Sequence, residues 1–248
     1  MKRLNLFLYL LFAVPVLADG PASAAADPTT AILDRYWSAI EMQKNQPRSM
    51  RMEMDIDGEI PRLKKTGRLH ALRFITRVGQ IVYDALRYEG DNTVKKELIA
   101  RYLEAEATAR SDYSGSLSIT PANYKFKYKG TTAYLERTAH VFQLTPRKKR
   151  VGLFRGELWV DAQTGLPLRE WGELVKNPSV FLKNVYFVRD YHISDGISVP
   201  RRIITNVDTR IVGRANMTIW FDKYAPAQEP PAPVANGGMA TARASFGN

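Results

Sequence analysis

The chain has 248 residues and no cysteine, which excludes a disulfide framework, a thiol nucleophile and a cysteine-ligated zinc site. With 36 Lys and Arg against 25 Asp and Glu, the formal charge is +11, a balance suited to anionic partners such as lipid headgroups, lipopolysaccharide or an acidic protein. Nucleic acid is disfavoured as a partner, because no recognisable binding motif accompanies the charge.

Lys2 and Arg3 precede an apolar run from Leu4 to Ala18, and small residues follow in ADGPASAAADP. That order reads as a secretory signal peptide over residues 1–26, cleaved at Ala22-Ser23-Ala24 or Ala24-Ala25-Ala26. The apolar run is shorter than the roughly 20 residues a spanning helix needs. The expectation is a soluble protein exported to the periplasm, and a chain without cysteine cannot be lipidated on one after cleavage. Residues 27–224 read as one folded domain. Residues 225–248, rich in Pro, Ala and Gly and poor in large apolar side chains, read as a disordered tail.

The segment PTTAILDRYWSAIEMQKN carries Ile32, Leu33, Tyr36, Trp37 and Ile40 at helical spacing, with Thr29 or Thr30 as a cap. Period two then takes over: Met50, Met52, Met54 and Ile56 alternate with Arg51, Glu53 and Asp55. TGRLHALRFIT and GQIVYDALRYEG read as the next two strands. TVKKELIARYLEAEATAR interrupts them with a stripe of Val94, Leu98, Ile99, Tyr102 and Leu103, and reads as a second helix. From Ser114 onward the chain is strands and turns: NYKFKYKG, AHVFQLTP, GELWVDA, GLPLREWGEL, FLKNVYFVRDYHI, VPRRIITNVD and GRANMTIWFDKY, separated by signals such as Gln163-Thr164-Gly165 and Ser194-Asp195-Gly196. The fold class is mainly β with two helices. Antiparallel strands in this number curl, and with no second sheet to cover the concave side, the economical arrangement lays both helices against it: a half-open barrel of about eleven strands lidded by helices.

No constellation in the sequence carries catalysis. His70, His140 and His192 lie far apart on or beside strands, without metal-ligand spacing. Ser114 and Ser116 lack the strand-to-helix elbow of a nucleophile, and Gly156, Gly165 and Gly172 punctuate strands rather than cradle phosphate. No enzyme activity, cofactor or metal is expected. What stands out is the methionine row, Met50, Met52 and Met54, on one face of one strand. Methionine is flexible and polarizable, suits varied apolar ligands, and is an unusual choice for a rigid core. With Ile56, with Leu98 and Tyr102 of the second helix, and with Leu158 and Val160 of the GELWVDA strand, it forms the candidate lining of an apolar cavity.

The segments VFQLTPRKK, FRGELWVDAQTGLPLREW, NPSVFLKNVYFVRDY and HISDGISVP resemble the LolA-like family of periplasmic lipoprotein carriers. The resemblance implies a half-open barrel with helical lids, an apolar cavity for lipoprotein acyl chains or another lipid, and membrane-bound donor and acceptor proteins as partners. It also implies an arginine that holds the lid shut, for which Arg51, Arg73 and Arg77 are the candidates. The function expected is lipid or lipoprotein transport by a monomer that touches anionic membrane peripherally. The alternative is a periplasmic regulatory module that senses lipid or a protein partner in envelope stress signalling.

Overall fold

The computed structural model describes residues 28–45, 49–77, 80–104, 106 and 117–227. The expected leader and nearly all of the expected tail lie outside these. Ten strands form one antiparallel sheet: β1 (Met50–Ile60), β2 (Lys65–Ile75), β3 (Ile81–Gly90), β4 (Tyr124–Tyr134), β5 (Arg137–Pro146), β6 (Phe154–Asp161), β7 (Pro167–Leu174), β8 (Leu182–Ser194), β9 (Ile197–Thr209) and β10 (Arg214–Pro226). Their order is β3-β2-β1-β10-β9-β8-β7-β6-β5-β4, so β3 and β4 are free edges and the barrel is half open. The first and last strands meet as β1 and β10 in the middle. The strand count is one below the sequence estimate, and β10 reaches two residues into the stretch expected to be tail.

Two helices cover the inner face. Helix α1 (Pro28–Lys44) starts at Pro28, whose fixed φ and missing N–H suit a first helical turn, so Thr29 and Thr30 sit inside that turn rather than capping it. Helix α2 spans residues 92–104, with residue 106 also helical: α-helical over Asn92–Val94, π-helical over Lys95–Ala100 and α-helical again beyond. Asp91 caps it, its carboxylate accepting from the Thr93 N–H at 2.7 Å.

The strand pairing fixes two lateral rows, one on each face. On the inner face Tyr88, Leu69, Ile56, Ile219, Ile203, Arg189, Glu170, Leu158, Phe142 and Tyr128 stand side by side across all ten strands. A charged pair therefore interrupts the middle of an apolar row, and the core on either side of it divides. One cluster gathers Met52, Met54, Ile56, Leu69 and Ile219 beneath Val94, Ile99 and Leu103 of α2. The other gathers Phe142, Leu144, Leu158 and Val160 beneath Leu33 and Tyr36 of α1.

The outer row alternates aromatic, cation and anion: Trp159, Arg169, Asp190, Arg202, Trp220, Asp55, His70, Arg87. Asp190 is its centre. Only 2 % exposed, it takes Arg202 Nη2 at 2.7 Å and Nε at 3.0 Å, and the Tyr134 hydroxyl donates to it at 2.8 Å. Arg169 lies 3.6 Å away and covers the rings of Trp159 and Tyr134. A carboxylate so placed ties β4, β7, β8 and β9 together through charge-assisted bonds. Asp190→Ala should cost about 2–3 kcal/mol in urea unfolding, the scale of losing a buried carboxylate's hydrogen bonds to charged donors. Asp190→Asn, which keeps an acceptor for Tyr134, should cost less.

Candidate functional site: the methionine floor beneath the second helix

Six of the eight candidate lining residues come together. Met52, Met54 and Ile56 are buried in the cluster beneath α2, and Met50, Leu98 and Tyr102 pack against its margin. Leu158 and Val160 do not join them; they belong to the second cluster, beneath α1. The separation follows from the strand order, which puts four strands between β1 and β6. The floor under α2 is filled by the protein's own side chains, with Met52, Met54 and Ile99 completely shielded from solvent. Two shallow hollows of about 550 and 500 Å³ lie instead on the outer face, among polar side chains such as Asp57, Arg68, Glu89 and Arg87.

Besides the apolar packing of Ile99 and Leu103, two features stand out where α2 meets this floor, one toward each end of its described residues. At its start Val94 sits on a glycine pair: Gly58 and Gly67 face each other across β1 and β2. A Cβ on Gly58 would lie 3.0 Å from Val94 Cγ1, and one on Gly67 2.9 Å from it. Only glycine lets the helix approach so closely. Lys65 reinforces this end, with Nζ 2.8 Å from Thr93 Oγ1 and 3.4 Å from Asp91.

At the other end stands Arg73, the candidate arginine that the structure places beneath the helix. It occupies an inner-face position of β2, in step with Leu69 and Ala71, and is 1 % exposed. Its Nη2 meets Glu106 Oε1 at 2.8 Å, its Nη1 points at Met52 Sδ at 3.3 Å, and its guanidinium lies 5.4 Å from the Phe221 ring centre. The Tyr83 hydroxyl donates to the second oxygen of Glu106. Burial works against the charge of Arg73, but Glu106, and then Tyr83, hold its pKa above the ordinary value. Burial, followed by Glu106, pushes the Tyr83 hydroxyl well above its usual range, so it remains a donor. Arg73 Nε is buried without a hydrogen-bond partner among the described residues. The ion pair thus ties the helix to β2 with the guanidinium only partly satisfied by protein acceptors.

Helix α1 is held differently. Arg35 Nη1 donates to Ala162 O at 2.9 Å, Trp37 Nε1 to Ile119 O at 3.1 Å, and Gln43 exchanges two bonds with the backbone of Ser198. Behind it lies Glu170, which accepts from Arg189 at 3.2 Å. Burial, then Glu170, raises the pKa of Tyr36 and of Tyr191.

Among the described residues no group of three or more His, Asp and Glu is placed to hold a metal ion. His70 pairs with Asp55 at 2.8 Å and His140 lies 3.0 Å from the Tyr128 hydroxyl. Burial, then Arg35, lowers the pKa of His140. No helix among the described residues is long and apolar enough to cross a membrane.

The sequence matches no family model and no curated protein. Solved structures to which the chain is similar include LolA superfamily proteins. One is a LolA superfamily protein from Nitrosomonas europaea, 14 % identical over 79 % of this chain and 94 % of that one, with a TM-score of 0.38. Another is a putative outer membrane lipoprotein-sorting protein domain from Vibrio parahaemolyticus, 11 % identical over 80 % and 93 %, TM-score 0.41. A third is a DUF1329 family protein from Desulfovibrio piger, 13 % identical over 83 % and 95 %, TM-score 0.40. The half-open, helix-covered barrel described here rests on this chain's own strand order and core.

Arg73→Met alone should cost about 3–5 kcal/mol in urea unfolding, because it strands a carboxylate that is only 17 % exposed. Arg73→Met combined with Glu106→Leu should recover most of that loss, since apolar replacement of a whole buried pair is often neutral. A double variant as unstable as the single one would mean that Glu106 is not the partner that matters.

Proposed function

We propose that this protein is a periplasmic carrier of acyl chains, taking lipoprotein acyl chains or another lipid onto the methionine floor beneath α2, without catalysis. The observation that carries this reading is how α2 is held. It rests on a filled, adaptable floor, with a glycine-seated valine toward one end and the buried Arg73–Glu106 pair toward the other. Lifting the helix exposes Met52, Met54 and their neighbours as one apolar trough. Lowering it excludes water again.

The energetics suit a carrier that must also let go. Each buried CH₂ gains about 0.8 kcal/mol, so an acyl chain of about 16 carbons offers a gross ~12 kcal/mol. Association and ordering remove several kcal/mol of that. The chain must further displace the closed arrangement in which Arg73 and Glu106 are paired, so binding and lid opening are one equilibrium. Methionines re-pack around different chains where branched residues would not. The apolar leader supports export, and the positive charge supports work beside anionic lipid.

The test is native mass spectrometry of gently purified protein, with titration of a fluorescent fatty acid. Adducts of acyl-chain mass and saturable, 1:1 probe binding are expected. Met54→Trp, which overfills the floor, should abolish probe binding, whereas Leu158→Met in the other cluster should leave it nearly unchanged. A folded protein that carries no lipid and rejects the probe overturns the proposal. Recovery of a stoichiometric protein partner in that case would favour the regulatory reading.

A further inference from the structure

Antiparallel pairing brings four connections to one end of the sheet: residues 61–64, 147–153, 175–181 and 210–213. Together they contain eight Lys and Arg and no Asp or Glu, and all eight cations are exposed. At the opposite end, the turns 76–80, 135–136, 162–166 and 195–196 hold one cation, Arg77, against Glu136 and Asp195. Of the carboxylates close to the basic end, Asp208 is paired with Arg214 at 2.9 Å and Asp91 with Lys65 at 3.4 Å, and Glu59 accepts from the Asn216 amide at 2.6 Å. The charge of the connections is therefore polarised along the strands.

The same loops carry apolar side chains at their tips. Val180 is 77 % exposed, Phe181 58 % and Ile211 67 %, and Leu63 and Val151 are also exposed. Val180, Phe181 and Ile211 are held as a group rather than left on separate loops. Arg210 N donates to Phe181 O and Arg210 Nε to Val180 O, each at 2.9 Å, so these two tips are bound side by side. Large apolar groups are normally withdrawn from water, and a tip that presents three of them amid cations has a surface to meet.

We propose that this rim docks on an anionic lipid bilayer: the cations engage lipid phosphates while Val180, Phe181 and Ile211 enter the interfacial layer. Cations alone would suit any polyanion. Their combination with projecting apolar side chains fits a surface that is anionic outside and apolar a few ångströms below. This inference stands whether or not the concave face carries lipid.

The absence of cysteine makes the test direct, because Val180→Cys or Leu135→Cys in the full chain takes a single environment-sensitive fluorophore. Leu135 is 67 % exposed at the opposite end and serves as the control. Added vesicles of phosphatidylglycerol and phosphatidylcholine should blue-shift the label at 180 but not at 135, and pure phosphatidylcholine should shift neither. Lys148→Glu with Lys149→Glu should weaken vesicle binding at least tenfold, and higher salt should weaken it further. Thermal unfolding of each variant checks that it is folded. Equal shifts at both positions, or no shift with anionic vesicles, overturn the proposal. So does binding of an acidic protein at the rim when vesicles are ignored, which would make it a protein interface.

Discussion

The structure depends on one geometric constraint: a single sheet of ten strands has an apolar inner face and no second sheet to cover it. Two helices must shield what a sandwich would bury against its other half. The inner row settles how they share the work. Arg189 and Glu170 stand in its middle, and an apolar helix cannot profitably cross a charged pair, so each helix takes one side. The two clusters are the consequence. They also differ in kind, one aromatic beneath a helix that hydrogen-bonds the backbone through Arg35, Trp37 and Gln43, the other methionine-rich beneath a helix seated on glycines and ion-paired through Arg73. Helix α1 is bonded to the backbone at residues 119, 162 and 198, whereas α2 is held by apolar packing of Val94, Ile99 and Leu103 together with ion pairs toward its two ends.

The outer face supplies rigidity to the sheet. Its row of alternating ring, cation and anion fixes the register of β6 through β10 by charge as well as by backbone bonds. A slip of one residue in β8 or β9 would bring Asp190 or Arg202 to the inner face and bury it unpaired. Register is thus specified from both sides, by apolar burial within and by ion pairs without.

Period two made the strands legible, and the methionine row and the stripes of both helices were readable from spacing alone. What spacing does not contain is strand order. Leu158 and Val160 have the same alternation as Met54 and Ile56, so nothing local distinguishes a residue beneath α1 from one beneath α2. Arg51, Arg73 and Arg77 looked equivalent for a similar reason, yet a signal was present. In RLHALRFI the alternation Leu69, Ala71, Ile75 leaves Arg73 at an apolar position, and a cation there needs a buried partner. That partner, Glu106, lies 33 residues on, in a helix whose path over the sheet only the fold defines. Gly58 and Gly67 carry no local signal of a role; it appears only once the β1–β2 register sets them opposite each other under Val94. The π-helical turn has no sequence signature at all. Such turns concentrate where a helix is adjusted for function, and this one lies between the two attachments of α2.

The two attachments are not equivalent along the strands. β1 leads upward into the connection 61–64 and β2 leads back down from it, so the glycine pair and Val94 lie toward the basic, apolar-tipped end, while Arg73 lies toward the other. Lys65 joins the two features directly. It follows the exposed connection that carries Arg62, Leu63 and Lys64, and its ammonium holds both Asp91 and Thr93 at the start of α2. A force or charge applied at that rim acts one residue from the seat of the helix. Toward the other end of the described helix the pairing of Arg73 with Glu106, joined by Tyr83, ties α2 to β2 and β3, so the same helix is anchored by charge at both ends of its apolar seat.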